Sequence, residues 1–201
     1  NEIVSIIGTC SFSKPGFFFL NITCKKLKNG SNVIHNLSFM KTLLIIRHAK
    51  SSWKDTSQND FDRPLNNRGN NDAQTMAERL KQKNIAIDIF ISSTAKRAIS
   101  TCCYFAEAYK VKENGIITYP QLYHAPPEVF YDVVKKINDQ CTSAALFSHN
   151  PGITSFVNEL TLAQIDNMPT CGIFAIKIYT QSWSQFQDAQ KEFWFFDYPK
   201  L

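Results

Sequence analysis

The pattern of apolar and polar positions changes character at Met40. Before it, the chain is rich in Asn, Ser and Lys and shows little periodicity. After it, short apolar runs alternate with stretches of helical period. Leu43, Leu44, Ile45 and Ile46 form a continuous apolar run, which predicts a strand buried on both faces. A polar loop ends near Leu65. Ala73, Met76, Ala77 and Leu80 then recur at i, i+3, i+4 and i+7, predicting a helix over 68–83. Residues 87–91 read as a second strand. Thr94 is placed to cap a helix that turns Ala98, Cys102, Phe105 and Tyr109 to one face. A weaker strand is expected over 116–119, and a helix over 127–138 with Val129, Phe130, Val133, Val134 and Ile137 inward. Residues 144–147 form another buried run. Asn150 is expected to cap a helix with Pro151 at its first position, lined by Ile153, Phe156, Val157 and Leu160. The chain closes with β-type runs over 173–179 and 192–198, the aromatic run from Phe193 to Phe196 being expected in the core.

Strands alternating with helices of this length predict one three-layer α/β/α sandwich around a mostly parallel sheet, spanning residues 40–201. Met40 reads as a natural start, and residues 1–39 as an N-terminal extension, irregular or outside the natural domain. Three N-x-S/T sequons, at Asn21, Asn29 and Asn36, fall in that segment. With no signal-peptide pattern ahead of them, they are read as a product of its composition rather than as a glycosylated stalk.

Composition narrows the function. The net charge of +5 is modest, and residues 1–39 hold four lysines and one glutamate of it. The Lys25, Lys26, Lys28 cluster lies in that segment, so the domain is not expected to bind nucleic acid. No run is long and apolar enough to span a membrane, since that takes roughly 18–20 residues. Six cysteines lack metal-ligand spacing. They read as free, largely buried thiols in a reducing compartment, so a cytoplasmic location without metal or cofactor is expected.

Among the four histidines, His48 follows the first buried strand and His149 the fourth. Ligands of open parallel sheets bind beyond the carboxyl ends of the strands. Arg47 precedes His48, and Arg97 lies in the first turn of the helix after the second strand, where the macrodipole disfavours a cation. Two imidazoles and two guanidinium groups on one rim, without nearby carboxylates, describe an anion pocket suited to phosphate. Amides opening the helix at Asn150 would add partial positive charge. Trp53 either walls this pocket or covers the sheet end. Arg63 and Arg68 are expected on a solvated loop face.

The ordered blocks Arg47-His48-Ala49-Lys50-Ser51-Ser52-Trp53, Asp62-Arg63-Pro64-Leu65 with Arg68-Gly69, Ser92-Ser93 through Arg97-Ala98 to Thr101, Leu122-Tyr123-His124-Ala125 and His149-Asn150-Pro151-Gly152 resemble the histidine phosphatase superfamily. Within it they resemble the compact, SixA-like phosphohistidine phosphatases. The resemblance covers nearly all of 40–201 and none of 1–39. It implies a phosphoglycerate mutase-like fold, a nucleophilic His48 that becomes phosphorylated, and Arg47, Arg97 and His149 as holders of the phosphoryl oxygens, with no metal required. Two positions depart from the larger members. Lys54 stands where they have an asparagine, and Leu122-Tyr123-His124 where they have a glutamate acid, leaving His124 and Glu128 as candidate general acids.

The expected activity is removal of phosphate from phosphohistidine on a signalling or phosphotransfer protein. A phosphoramidate suits a site without a strong acid, because its leaving nitrogen can be protonated before cleavage. The absence of room for a helical lid between Arg97 and His149 also suits a protein-borne phosphate. Two alternatives stay open: a phosphatase of small phosphoesters, and a phosphate-binding docking module without turnover.

Overall fold

The computed structural model describes residues 40–53 and 57–199. The expectations placed on residues 1–39, on the sequons and on Lys54 lie outside these residues. In chain order the elements are β1 (Met40–Arg47), α1 (Asn67–Gln82), β2 (Ile89–Ser92), α2 (Lys96–Ala108), β3 (Ile116–Thr118), α3 (Pro127–Val134), β4 (Ser143–Ser148), α4 (Gly152–Leu160), β5 (Ile173–Tyr179) and β6 (Gln190–Asp197). The described residues form a six-stranded sheet of order β3-β2-β4-β1-β5-β6.

Three layers follow from the side-chain alternation of β1. Successive residues of a strand point to opposite faces, and each face of β1 meets its own helices. Leu43 and Ile45 pack with Phe130 and Val133 of α3 and Phe156 and Val157 of α4. Leu44 and Ile46 pack with Ala73, Met76 and Leu80 of α1 and Cys102 and Phe105 of α2. All four β1 side chains are fully buried. Burial of each contributes roughly 1.5–3 kcal/mol. That is why this run carries no polar residue.

The sheet is mixed rather than mostly parallel. β1, β2, β3 and β4 pair in parallel, but β5 pairs antiparallel with β1 and β6 antiparallel with β5. The cause lies after α4. This helix runs back from the carboxyl edge, but segment 161–172 then returns to that edge before β5 starts. Cys171 N–H donates to the Arg47 carbonyl at 3.1 Å, so β5 enters beside the end of β1 and must run the other way.

Element ends also differ from expectation. α2 has Ala95 as its N-cap without a side-chain cap, so Thr94 does not cap it. α4 starts at Gly152 with Pro151 as N-cap, one step later than Asn150 suggested. α3 stops at Val134, although Ile137 beyond it stays buried. Among the described residues β6 pairs only with β5, and its aromatic run is half-buried, with Phe193 39% exposed. It is an edge strand, not core. Cys102, Cys103, Cys141 and Cys171 are free thiols, of which Cys102 and Cys171 are buried.

Two glycines set loop positions. A Cβ on Gly69, in the first turn of α1, would stand 2.0 Å from the Lys50 carbonyl oxygen. A Cβ on Gly152 would stand 1.7 Å from the Ala125 carbonyl oxygen. Both obstacles are backbone, so neither can swing aside. Gly152→Ala should therefore force α4 away from the 123–125 loop. It is expected to cost about 2–3 kcal/mol by overpacking and to lower Tm by roughly 5–10 °C, read by thermal denaturation.

Candidate active site

The site begins with strand register. β1 and β4 are adjacent and parallel, with Arg47 opposite Ser148. The next residue on each strand is a histidine, and His48 N–H donates to the Ser148 carbonyl at 3.0 Å. The two imidazoles thus leave the sheet side by side, ring centroids 4.9 Å apart. β2 lies on the other side of β4 and ends in Ser92, so Ser93 joins the same edge. Its hydroxyl lies 2.9 Å from His149 Nε2.

His48 is oriented by backbone. Its Nδ1 lies 2.8 Å from the Ala49 carbonyl oxygen, which can only accept, so the proton sits on Nδ1 and Nε2 carries the lone pair. Arg97 Nε donates to that lone pair at 3.2 Å. Thr101 fixes the arrangement from α2: its hydroxyl accepts from Ala49 N–H at 2.9 Å and donates to the Arg97 carbonyl at 2.7 Å. The loop bearing His48 and the turn bearing Arg97 are therefore tied by one side chain.

Burial and neighbouring cations hold both rings neutral. His48 is pushed down from 6.5 to about 3, first by burial and then by the charges of Arg97, Arg47 and Arg63, against the pull of the Ala49 carbonyl. His149 is pushed down to about 2, again by burial first, then by His48 and Arg97. Its Nδ1 is buried without a hydrogen-bond partner among the described residues.

Arg47 Nη1 donates to the Met168 carbonyl at 2.6 Å, so segment 161–172 braces it from the side. Asn150 turns toward the same segment: its Nδ2 donates to the Asn167 side chain and, at 3.2 Å, to the Met168 carbonyl. Its Oδ1 accepts from Thr154 at 2.9 Å. His124 stands at the rim, its side chain 57% exposed and its ring centroid 6.3 Å from that of His149. Glu128 lies exposed in the first turn of α3. Among the described residues it forms no ion pair with this cluster.

Two expectations are corrected. The pocket does contain a carboxylate. Asp60, in the 3-10 turn Asp60–Asp62, pairs with Arg97 Nη2 at 2.9 Å and with Arg63 Nη2 at 3.0 Å. It also accepts from the Tyr123 hydroxyl at 2.7 Å. Arg63 is no solvated loop cation either. It is buried at 6% exposure, with Nε and Nη1 lacking hydrogen-bond partners among the described residues. Trp53 is 71% exposed, and the Arg63 guanidinium lies over its ring, 3.5 Å from the centroid. A cation over an aromatic face is attracted to the ring quadrupole.

Asp60, Arg63, Ser93 and Tyr123 are thus members of the cluster that reading along the chain missed. Arg63 and Tyr123 sit inside motif blocks already singled out, so position within those blocks was their signal. Asp60 carries none, since only the folded chain brings its turn onto α2.

Comparison with known proteins shows what the chain is similar to. The profile of the histidine phosphatase superfamily (branch 1) matches residues 43–122. SixA from Agrobacterium tumefaciens shares the fold with a TM-score of 0.67 and 22% identity over 80% of this chain and 99% of that one. The chain is similar to the histidine phosphatase superfamily over residues 43–122 and shares the fold of SixA.

The protein histidine phosphatase SixA, solved with tungstate, matches with a TM-score of 0.67 and 19% identity over 78% and 96% of the two chains. An uncharacterized Mycobacterium leprae protein is 29% identical over 66% of this chain and 87% of its own. The 2,3-bisphosphoglycerate-dependent phosphoglycerate mutase of Staphylococcus carnosus is 38% identical, but over only 34% of this chain and 31% of its own. No helix among the described residues is long and apolar enough to cross a membrane.

The neutral histidines make stability depend on pH. Both folded values lie below the unfolded value of about 6.5, so below that pH the unfolded chain takes up protons that the folded one refuses. This stability is complete above about pH 6.5 and is lost as pH falls toward 3. Carboxylates titrate mostly below about pH 4.5. The urea midpoint should therefore drop between pH 6.5 and about 4.5, and His149→Asn should flatten that slope. Equal slopes for the two proteins would contradict the assigned neutral state.

Proposed function

We propose that residues 40–201 act as a phosphohistidine phosphatase, removing phosphate from histidine on a signalling or phosphotransfer protein through a phospho-His48 intermediate. The observation that carries this reading is the His48 imidazole. It is neutral, its Nδ1 proton is anchored on Ala49, and the Nε2 lone pair faces the Arg97 guanidinium.

In this mechanism Nε2 attacks phosphorus while the bond to the leaving group breaks. Arg47, Arg97 and His149 receive the phosphoryl oxygens, and Asn150 lies beside them. Preorganised cations around the transferring group supply most of the rate enhancement in such sites. The Nδ1–H···O bond to Ala49 stabilises the positive charge that forms on the ring as phosphorus bonds to Nε2. Water then attacks phospho-His48, which splits one difficult displacement into two. The charges required come from side chains, so activity is expected to survive EDTA.

His124 is the better supported of the two candidate acids, since its Nε2 lies 3.7 Å from Asp60 and its ring 6.3 Å from that of His149. A second reading, action on small phosphoesters, draws support from the names of relatives. These include phosphoglycerate mutases and a mycobacterial glucosyl-3-phosphoglycerate phosphatase of 12% identity and TM-score 0.56.

The test is to incubate the protein with a histidine-phosphorylated peptide and trap an acid-labile phosphoenzyme. His48→Ala should abolish the label, and Arg97→Ala should lower kcat/KM by about 10²–10³. Label that survives His48→Ala would refute the mechanism. Turnover of small esters without turnover of the phosphopeptide would favour the second reading. Oxyanion binding with neither label nor turnover would leave a docking module.

A further inference from the structure

Asp60 sits where its charge has a consequence for substrate choice. Oδ2 lies 2.9 Å from Arg97 Nη2, 2.7 Å from the Tyr123 hydroxyl and 3.7 Å from His124 Nε2, while Oδ1 meets Arg63 at 3.0 Å. The Arg97 side chain is 4% exposed and that of Asp60 is 40% exposed, so the carboxylate lies on the solvent side of the guanidinium. Arg97 Nε in turn reaches His48 Nε2. From the nucleophilic nitrogen outward, the order is His48, Arg97, then Asp60 with Tyr123 and His124.

An in-line displacement puts the leaving group on the far side of phosphorus from the attacking nitrogen. His48 is anchored at the sheet edge, so that far side is the rim. A leaving group held there stands beside Asp60, Tyr123 and His124. Of these, Asp60 bears a full negative charge: burial opposes its ionisation, but the Tyr123 hydroxyl and the Arg97 and Arg63 charges outweigh burial and hold the carboxyl below its usual range. A carboxylate has about four acceptor positions. Arg97, Arg63 and Tyr123 leave room for one more donor.

Resting on the phospho-His48 reading, we propose that Asp60 is a specificity residue whose carboxylate accepts a hydrogen bond from the ring N–H of a bound phosphoimidazole. It thereby favours N-phosphoryl substrates over phosphate esters. The chemistry balances without a general acid. In a phosphohistidine protonated on its second ring nitrogen, the P–N bond breaks as the bond from His48 Nε2 to phosphorus forms. The bonding pair passes to the leaving nitrogen and cancels the positive charge of the ring. A neutral imidazole departs, still carrying its N–H, and no proton has to be delivered.

A nearby carboxylate favours the cationic, reactive form of the bound substrate. An ester leaves as an oxyanion, and the same carboxylate opposes the charge that develops on it. The device therefore helps one leaving group and hinders the other.

Asp60 also grips Arg97 through its backbone carbonyl, so its replacement could alter how every substrate is held. A ratio removes that common effect. The experiment measures kcat/KM of the full chain for a histidine-phosphorylated peptide and for p-nitrophenyl phosphate, in wild type, Asp60→Asn and Asp60→Glu. Asp60→Asn should lower the ratio of phosphopeptide to ester by about tenfold or more, as expected for a charged hydrogen bond. Asp60→Glu, which keeps the charge, should restore most of it. The falling limb of kcat against pH for the phosphopeptide should also move to lower pH in Asp60→Asn, because the bound imidazolium loses its counter-charge.

A ratio unchanged in Asp60→Asn, whether both rates fall together or neither moves, overturns the assignment of Asp60 and leaves the phospho-His48 reading intact. A wild type that turns over the ester but not the phosphopeptide overturns the phosphohistidine reading, and this inference with it.

Discussion

Parallel pairing of β1 with β4 is the constraint on which the site depends. Register places Arg47 opposite Ser148, and the next residue of each strand is a histidine whose ring leaves the sheet at the same edge. A slip of one residue in a strand sends every side chain to the opposite face. Here it would separate the imidazoles and also turn each of Leu43 to Ile46 toward the helical layer it is not shaped to fit. The hydrophobic core thus enforces the geometry of the polar pocket. Burial that stabilises the strands also keeps both rings uncharged, which is the state a nucleophilic imidazole needs.

The pocket gathers positive charge at some cost. Arg47, Arg63 and Arg97 are drawn close enough for their charges to weigh on His48. Buried like charges demand compensation, and the structure supplies it piecemeal. Arg47 is met by a backbone carbonyl of segment 161–172, Arg97 by both polar ends of Asp60, and Arg63 by the same carboxylate with an indole above it. One acidic residue therefore serves two guanidinium groups. The partial neutralisation lets the three cations share one rim.

Most of this architecture was legible along the chain, and its failures have physical causes. Period and burial found every strand and α-helix core, because apolar runs such as Leu43 to Ile46 admit few alternatives. Ends were less legible: α2 starts without the cap Thr94 offered, and α4 starts one residue late. Strand direction at β5 was missed because the alternation of elements says nothing about whether a loop retraces the path of its helix. The edge status of β6 was equally hidden, since aromatic runs suit core and edge strands alike. At the site, His48, Arg97 and His149 could be placed from strand ends alone. Asp60 could not, because its partners come from residues 63, 97 and 123, and only tertiary contact joins them.

Segment 161–172 has a double role. It reverses the chain so that β5 closes against β1, and on the way it lends the Met168 carbonyl to Arg47 and fixes Asn150. Topology and recognition are thereby coupled through a stretch that belongs to neither helix nor strand. Loops tolerate change in length far better than the elements they join. Remodelling this one would shift the cationic wall while sparing the central sheet, which gives the scaffold a place to retune what it grips without rebuilding what holds it together.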